Sequence, residues 1–353
     1  MSPRHVLKHL LPSRYRQQLR RYLVSRSVRH LSGPRQLALS RGEAVVTCVV
    51  KNGEFYVQNF IEHYSRMGFR HIFFLDNGSS DQTIPIAQRY QNVSICTSSL
   101  PIEAHQRLFK SYLARTSCAG GWCLDADIDE FFDYPYSGVL KLSEFLEYLN
   151  QSRATAVMTQ LLDMFSDKSL SELGAVQDDV LSEAYQYYDL SNLTRTPYRG
   201  ADLVAEYAYG NEVTSEQAAL YFGGIRKTLY GNHCLLTKHS LFFPGRQMEL
   251  FPHAHFVNHA RLADVSCIMR HYKLTSTALD CALQNAEGFA GNSAGYRNFI
   301  TFLENQSDCR IKKETAVRYR NAEALAESGF LFMSDQYQEF VHSRCAAVEA
   351  PTC

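Results

Sequence analysis

Apolar runs and polar breaks alternate at short, regular intervals from about residue 44 to residue 132. Ala44-Val45-Val46-Thr47-Cys48-Val49-Val50 is a continuous, largely β-branched run, the pattern of a strand covered on both faces, as in a parallel sheet. Lys51-Asn52-Gly53 breaks it. Over 54–67, Phe55, Phe60, Ile61 and Tyr64 fall on one side of a helix that Gly68 would end. His71-Ile72-Phe73-Phe74-Leu75 reads as a second strand, broken by the turn-forming Asp76-Asn77-Gly78-Ser79-Ser80-Asp81. Asp81 is placed to cap a helix running to about Tyr90. Val93-Ser94-Ile95-Cys96 predicts a third strand, 103–117 a third helix, and 122–124 a fourth strand.

This alternation predicts an α/β fold with a mainly parallel sheet flanked by helices. In such sheets ligands bind beyond the carboxyl ends of the strands. Lys51-Asn52, Asp76-Asn77 and Asp127 to Asp129 all fall there, so three polar turns are expected to converge on one crevice. Further on, 142–149 predicts a helix and 155–162 a strand with Asp163 just beyond it. Residues 166–222, rich in Tyr, Ser, Asp and Asn, lack a clear period and read as a long substrate-facing insertion. After Gly223-Gly224-Ile225-Arg226 come Cys234-Leu235-Leu236-Thr237-Lys238, the histidines His253, His255 and His259, and a strand-like run over 265–273. Helical patterns over 276–288, 294–306 and 313–328 close the chain. The expected organisation is an N-terminal arm (1–42), an α/β domain (43–275, with a nucleotide-binding half 43–132 and an acceptor half 133–275) and a C-terminal helical region (276–353).

Charge changes the picture at one end only. The formal net charge is zero, yet residues 1–40 hold Arg4, Lys8, Arg14, Arg16, Arg20, Arg21, Arg26, Arg29 and Arg35 and no acid. Leu7, Leu10, Leu11, Tyr15, Leu19 and Leu23 recur among them at near-helical spacing. The arm therefore reads as an amphipathic helix for an anionic membrane surface, or as a solvated terminus. With 353 residues the chain can bury a large core. No run is long and apolar enough to span a bilayer, and no signal peptide opens it. Ten scattered cysteines, none in a Cys-x-x-Cys pair, suit a reducing compartment, so a cytoplasmic protein, peripheral on the inner face of a membrane, is expected. No nucleic-acid partner is expected.

The chemistry concentrates in Trp122-Cys123-Leu124-Asp125-Ala126-Asp127-Ile128-Asp129-Glu130-Phe131-Phe132. On an extended chain Asp125, Asp127 and Asp129 would share one face. Clustered carboxylates repel, and Mg²⁺ or Mn²⁺ relieves that with oxygen ligands. A solvated acidic turn is the bland alternative. A calcium loop counted from Asp125 would need Gly and Glu where Glu130 and Tyr136 stand.

On these motifs the chain resembles nucleotide-sugar glycosyltransferases of the GT-A fold, in particular the family-2-like group with its DUF23-type relatives. The resemblance covers 44–132 well and 222–275 more loosely. It rests on Lys51-Asn52-Gly53-Glu54, with one residue inserted relative to the family; on Phe60-Ile61-Glu62-His63-Tyr64 with Gly68; on Asp76-Asn77-Gly78-Ser79-Ser80-Asp81; and on Trp122 followed by Asp127-Ile128-Asp129-Glu130-Phe131. Asp125 stands where the family is normally apolar. The resemblance implies that Asp76 holds the base or ribose of the donor, that Asp127 lies near ribose and metal, and that Asp129 binds Mn²⁺ or Mg²⁺ at the donor diphosphate. It further implies a late histidine ligand, His271 or else His255, counterparts for Arg226 and Lys238 at the phosphates, and inversion at the anomeric carbon. The partners it implies are a nucleotide-diphosphate sugar and a glycan or lipid-linked acceptor, in surface polysaccharide or glycolipid synthesis.

Transfer of a sugar needs a base for the acceptor hydroxyl, and Asp163 and Glu249 are the candidates. Arg226, Lys238 or Lys273 would add charge-assisted contacts to phosphate. Bland roles compete throughout: Asp76 as turn former, Glu54 as a charge favoured by a helix N-terminus, His271 as a hydrogen-bonded core histidine. Two other classes stay open, a phosphatase-like hydrolase using Asp125 as nucleophile and Asp127 as acid, and a non-catalytic glycan- or membrane-binding relative.

Overall fold

A computed structural model describes residues 13–170, 172–173, 181–285, 294–305 and 310–349. Leu7, Leu10, Leu11, Arg4 and Lys8 of the expected amphipathic arm lie outside them. A helix α1 (Ser13–Ser27) and a short strand β1 (Arg29–Ser32) precede β2 (Ala44–Val50), α2 (Glu54–Met67), β3 (His71–Asp76), α3 (Thr83–Ala87), β4 (Val93–Thr97), α4 (Ile102–Ser117) and β5 (Trp122–Asp125). Then come β6 (Glu130–Asp133), α5 (Leu142–Gln151), β7 (Ala156–Asp163), β8 (Thr237–Phe242) and β9 (Cys267–His271).

Among the described residues the main sheet has eleven strands, in the order β1-β4-β3-β2-β5-β8-β7. Past β7 it divides: Arg261–Leu262 pairs with its start, and β9 pairs with its end, with β6 beyond β9. β4, β3, β2 and β5 are mutually parallel. β8 is antiparallel to both β5 and β7, so the sheet is mixed, although most of its pairings are parallel. The reason is geometric. β8 re-enters from the end where β7 leaves, so it must run back down.

The continuous apolar run of β2 is explained by its two covered faces. Val46, Cys48 and Val50 pack on one side with Val57, Phe60, Ile61 and Tyr64 of α2. Val45 and Val49 pack on the other with Phe109, Leu113 and Ala114 of α4. Each such fully buried side chain contributes roughly 1.5–3 kcal/mol. α2 stops at Gly68, which takes a left-handed φ of 93°.

The span 166–222, expected as an insertion without regular structure, contains an antiparallel pair, Leu193–Pro197 with Ala219–Gly223, and a helix Asp202–Tyr207. Leu193–Pro197 packs no side chain fully into the core, which is why it lacks a readable period. Residues 171 and 174–180 of that span lie outside the description. The helix expected over 313–328 starts only at Ala322, where Asn321 caps it by accepting Ala324 N–H at 3.0 Å. Upstream, Val317–Arg318 pairs as a strand with Tyr187–Tyr188. A closing helix, Asp335–Glu349, sends Tyr337 and Val341 into the same core as α5. No described helix is long and apolar enough to cross a membrane.

Candidate active site

The strand order 4-3-2-5 places β2 and β5 side by side, where the chain changes direction across the sheet. In open α/β sheets the crevice at such a switch point is the usual ligand site. Three turns meet above it. The loop after β2 and the loop after β3 are joined: Asn52 Oδ1 accepts Ser80 N–H at 2.9 Å, and Glu54 Oε2 accepts Gln82 N–H at 3.0 Å. Gly53 N–H donates to Thr83 Oγ1 at 2.7 Å. The third loop presses on the same glycine, where a Cβ would lie 2.9 Å from Ile128 Cγ1. Any larger residue at position 53 would separate the loops.

Asp76 is buried, and its carboxylate accepts Gly78 and Ser79 N–H at 3.0 and 3.1 Å. Its hydrogen bonds go to its own turn. Lys51 is exposed beside that turn.

The aspartates do not share one extended face. β5 ends at Asp125, and Glu130 N–H bonds Asp127 O at 3.0 Å to close a turn. Glu130 tightens the turn by accepting Asp127 N–H at 3.0 Å. Asp125 and Asp127 consequently converge on Lys110, whose Nζ lies 2.8 Å from a carboxylate oxygen of each. Lys238 approaches from β8, 3.1 Å from Asp127 and 2.5 Å from Glu130. Both lysines are buried, 1% and 3% exposed. Burial opposes their charge, but the surrounding carboxylates outweigh it and hold both ammonium groups above the usual lysine range. Burial likewise works against ionised Asp127, and the two lysines outweigh it and hold its carboxyl well below the ordinary value.

Asp129 turns the other way, towards His271. The register of β9 explains this: it runs between β6 and β7, setting His271 opposite both Glu130 and Asp163. His271 Nε2 lies 3.3 Å from Asp129, and Nδ1 lies 2.6 Å from Asp163. Burial alone would depress the His271 pKa, but the two carboxylates raise it to about 9. Asp163 also accepts Arg226 Nε–H at 2.7 Å. Burial would raise its carboxyl, and Arg226 and His271 instead hold it at about 2. Arg226 opens a short helix, Ile225–Tyr230, after Gly223 and Gly224 at φ of 87° and 64°. Its Nη2 is buried without a hydrogen-bond partner.

The structure therefore gathers these residues into two adjacent groups, Asp127 with Lys238, and Asp129 with His271, Asp163 and Arg226. It adds Lys110, Asp125 and Glu130. His255 stands apart from the His271 pair: its ring Nδ1 is 3.1 Å from Thr237 O, and burial, Lys238 and His253 push its pKa well below normal. Glu249 pairs with Tyr209 at 2.6 Å and Asn258 at 3.2 Å and faces the cleft against α1. Lys273 lies over the Phe299 ring at 5.7 Å. Asp125, 3% exposed beneath Lys110, is poorly reachable for the attack a phosphatase-type nucleophile must make.

Among the described residues no group of three or more His, Cys, Asp or Glu side chains is arranged to enclose a metal ion. Asp129 and His271 form an open pair instead. Mg²⁺-type sites are commonly built from one or two protein ligands, with waters and substrate phosphates completing the shell. The backing of His271 by a buried carboxylate at its other nitrogen is the usual support for a ligating imidazole. This donor set fits such an ion.

Fold and site together define an α/β protein with a large mixed sheet and a buried, charge-paired cluster at its switch point. No family model matches the chain, and no curated protein matches it. Among solved structures it is similar to the glucosyl-3-phosphoglycerate synthase of Mycobacterium tuberculosis, crystallised with Mn²⁺, uridine diphosphate and glucosyl-3-phosphoglycerate. Identity is 15%, the TM-score is 0.24, and the match covers 34% of this chain and 44% of that one. The match thus spans less than half of the synthase. At that score the likeness establishes neither a common fold nor a common activity, and the chemistry has to be argued from this chain's own residues.

Proposed function

We propose that the chain is a metal-assisted glycosyltransferase of the GT-A type, taking a nucleotide-diphosphate sugar as donor and a glycan or lipid-linked acceptor. The observation that carries this reading is the cluster at the β2–β5 switch point, where partly exposed Asp127 and Asp129 sit on buried cations. Side-chain exposure there is 35% for Asp127 and 22% for Asp129, against 4% or less for Asp125, Glu130 and Asp163. Of the cluster's carboxylates, those two are the ones open to a ligand.

Asp129 and His271 would hold a divalent ion, with Mn²⁺ or Mg²⁺ supplying Lewis-acid neutralisation of the departing diphosphate. Asp163 fixes the imidazole by accepting a hydrogen bond from its Nδ1–H, so Nε2 faces Asp129. Arg226 holds Asp163 ionised and keeps it from drifting. With both oxygens engaged, Asp163 works as a positioning carboxylate and not as the acceptor's base. Lys110 and Lys238 hold the Asp127 loop in place, and Glu130 sets its backbone. Asn52 and Glu54 lock the first two loops against each other, which shapes the crevice for the nucleotide. Inversion, and a role in surface polysaccharide or glycolipid synthesis, belong to the same proposal.

The test is turnover of a panel of UDP-, GDP- and CMP-activated sugars, followed by release of free nucleotide. One donor should turn over with Mn²⁺, and Asp129→Ala should abolish the release. If every donor stays intact while an aryl phosphate is hydrolysed, the chain is a phosphatase.

A further inference from the structure

We infer that α1 docks the protein on the surface of an anionic lipid bilayer. Of the α1 side chains described, Val24 is the buried one, 1% exposed in the core that includes Phe109 and Leu113 of α4. At 100° per residue, Leu19 and Tyr22 lie about 140° and 160° round the helix from Val24, and Leu23 about 100°. They are 41%, 59% and 44% exposed, large apolar groups turned outward on a helix already seated on the body. Arg16 and Arg26 lie beside or within this stripe, and Arg20 and Arg21 nearer the Val24 side; all four are exposed. The helix contains no acid.

α1, α4 and the Glu249–His253 strand enclose a cleft of about 880 Å³ whose charged lining is Arg16, Arg20, Arg21 and Arg107 with Glu103 and Glu249, four cations to two acids. Arg20 donates to Ala104 O and Arg107 to Pro252 O, which fixes two of these guanidinium groups in position. An outward apolar stripe with Arg16 and Arg26 beside it, on a helix without acids, matches a lipid interface: acyl boundary for the leucines, headgroup phosphates for the arginines. A soluble polyanion would use the arginines alone and leave Leu19, Tyr22 and Leu23 in water.

The experiment is co-sedimentation of the full chain with phosphatidylcholine vesicles, with and without about one third phosphatidylglycerol. Binding should need the anionic lipid and weaken as salt rises. Leu19→Glu and Leu23→Glu should each reduce the partition coefficient by about tenfold or more, and Arg16→Glu with Arg21→Glu by about fivefold per site removed. All four positions are exposed, so the variants should keep the parent's melting temperature and nucleotide binding. Equal sedimentation with neutral and anionic vesicles, or none with either, overturns the inference. So does a pattern in which the arginine changes abolish binding and the leucine changes do nothing, which is polyanion attraction without insertion.

Discussion

His271 Nδ1 and Asp163 Oδ1 are 2.6 Å apart, across neighbouring parallel strands whose register sets the two residues opposite each other. That one contact decides which imidazole nitrogen faces Asp129. It also explains why a carboxylate 108 residues upstream of the histidine belongs to the same site.

Asp163→Asn should therefore act through His271. The amide keeps the shape but loses the charge, and the ring loses its preference for presenting Nε2. Mn²⁺ affinity, measured by displacement of a fluorescent chelator, should fall by about 10–100-fold. Retention of full affinity would show that Asp163 serves only to bury Arg226.

Lys110→Met should be costly to the fold itself. It leaves Asp125 buried without its cation, and breaking a buried pair by removing one partner costs about 3–5 kcal/mol. Urea denaturation of the variant reads this loss directly. Lys110→Met with Asp125→Leu, which removes both charges, should recover most of it. A double variant no more stable than the single would contradict the pairing.

Acid should weaken the fold at buried histidines that take no part in the charge cluster. His63 bonds Phe132 O at 2.8 Å, and burial, followed by Arg270, lowers its pKa to about 3. Burial lowers His239 to about 4. The unfolded chain takes up these protons near pH 6.5 and the folded chain does not. Stability is thus fully present above that pH and is lost as pH falls towards the folded values, by about 2 kcal/mol per histidine at about pH 5. His63→Gln, followed by urea midpoints across that range, should flatten the profile by one such increment. An unchanged slope would mean that His63 is protonated in the fold.

The parallel half of the sheet was legible because β2, β3, β4 and β5 are short apolar runs ending in polar turns, and both faces are covered. β8 was not, because nothing in Thr237–Phe242 marks its direction, which follows from where β7 ends. The placement of Asp127, Asp129 and His271 at one end of the sheet was legible from residue type and motif. Their division into two groups was not, since it depends on the Glu130-closed turn. Lys110 was missed altogether. Its signal is positional: it lies among Phe109, Leu113 and Ala114, where the helical period puts the core. A lysine on an apolar face needs a buried acid to meet it. Helix Asp335–Glu349 likewise carried a readable start at Asp335 and a Tyr337–Val341 spacing suited to burial.

The most direct test of the account is calorimetric titration of UDP, GDP and CMP into the full chain, with and without Mn²⁺, repeated on Asp129→Ala. The account predicts that one nucleotide binds, that the metal strengthens it, and that the variant loses the metal's contribution. Binding of none of them would contradict a nucleotide-sugar donor. Binding that survives both metal removal and the variant would keep the nucleotide crevice and refute Asp129 as its metal ligand.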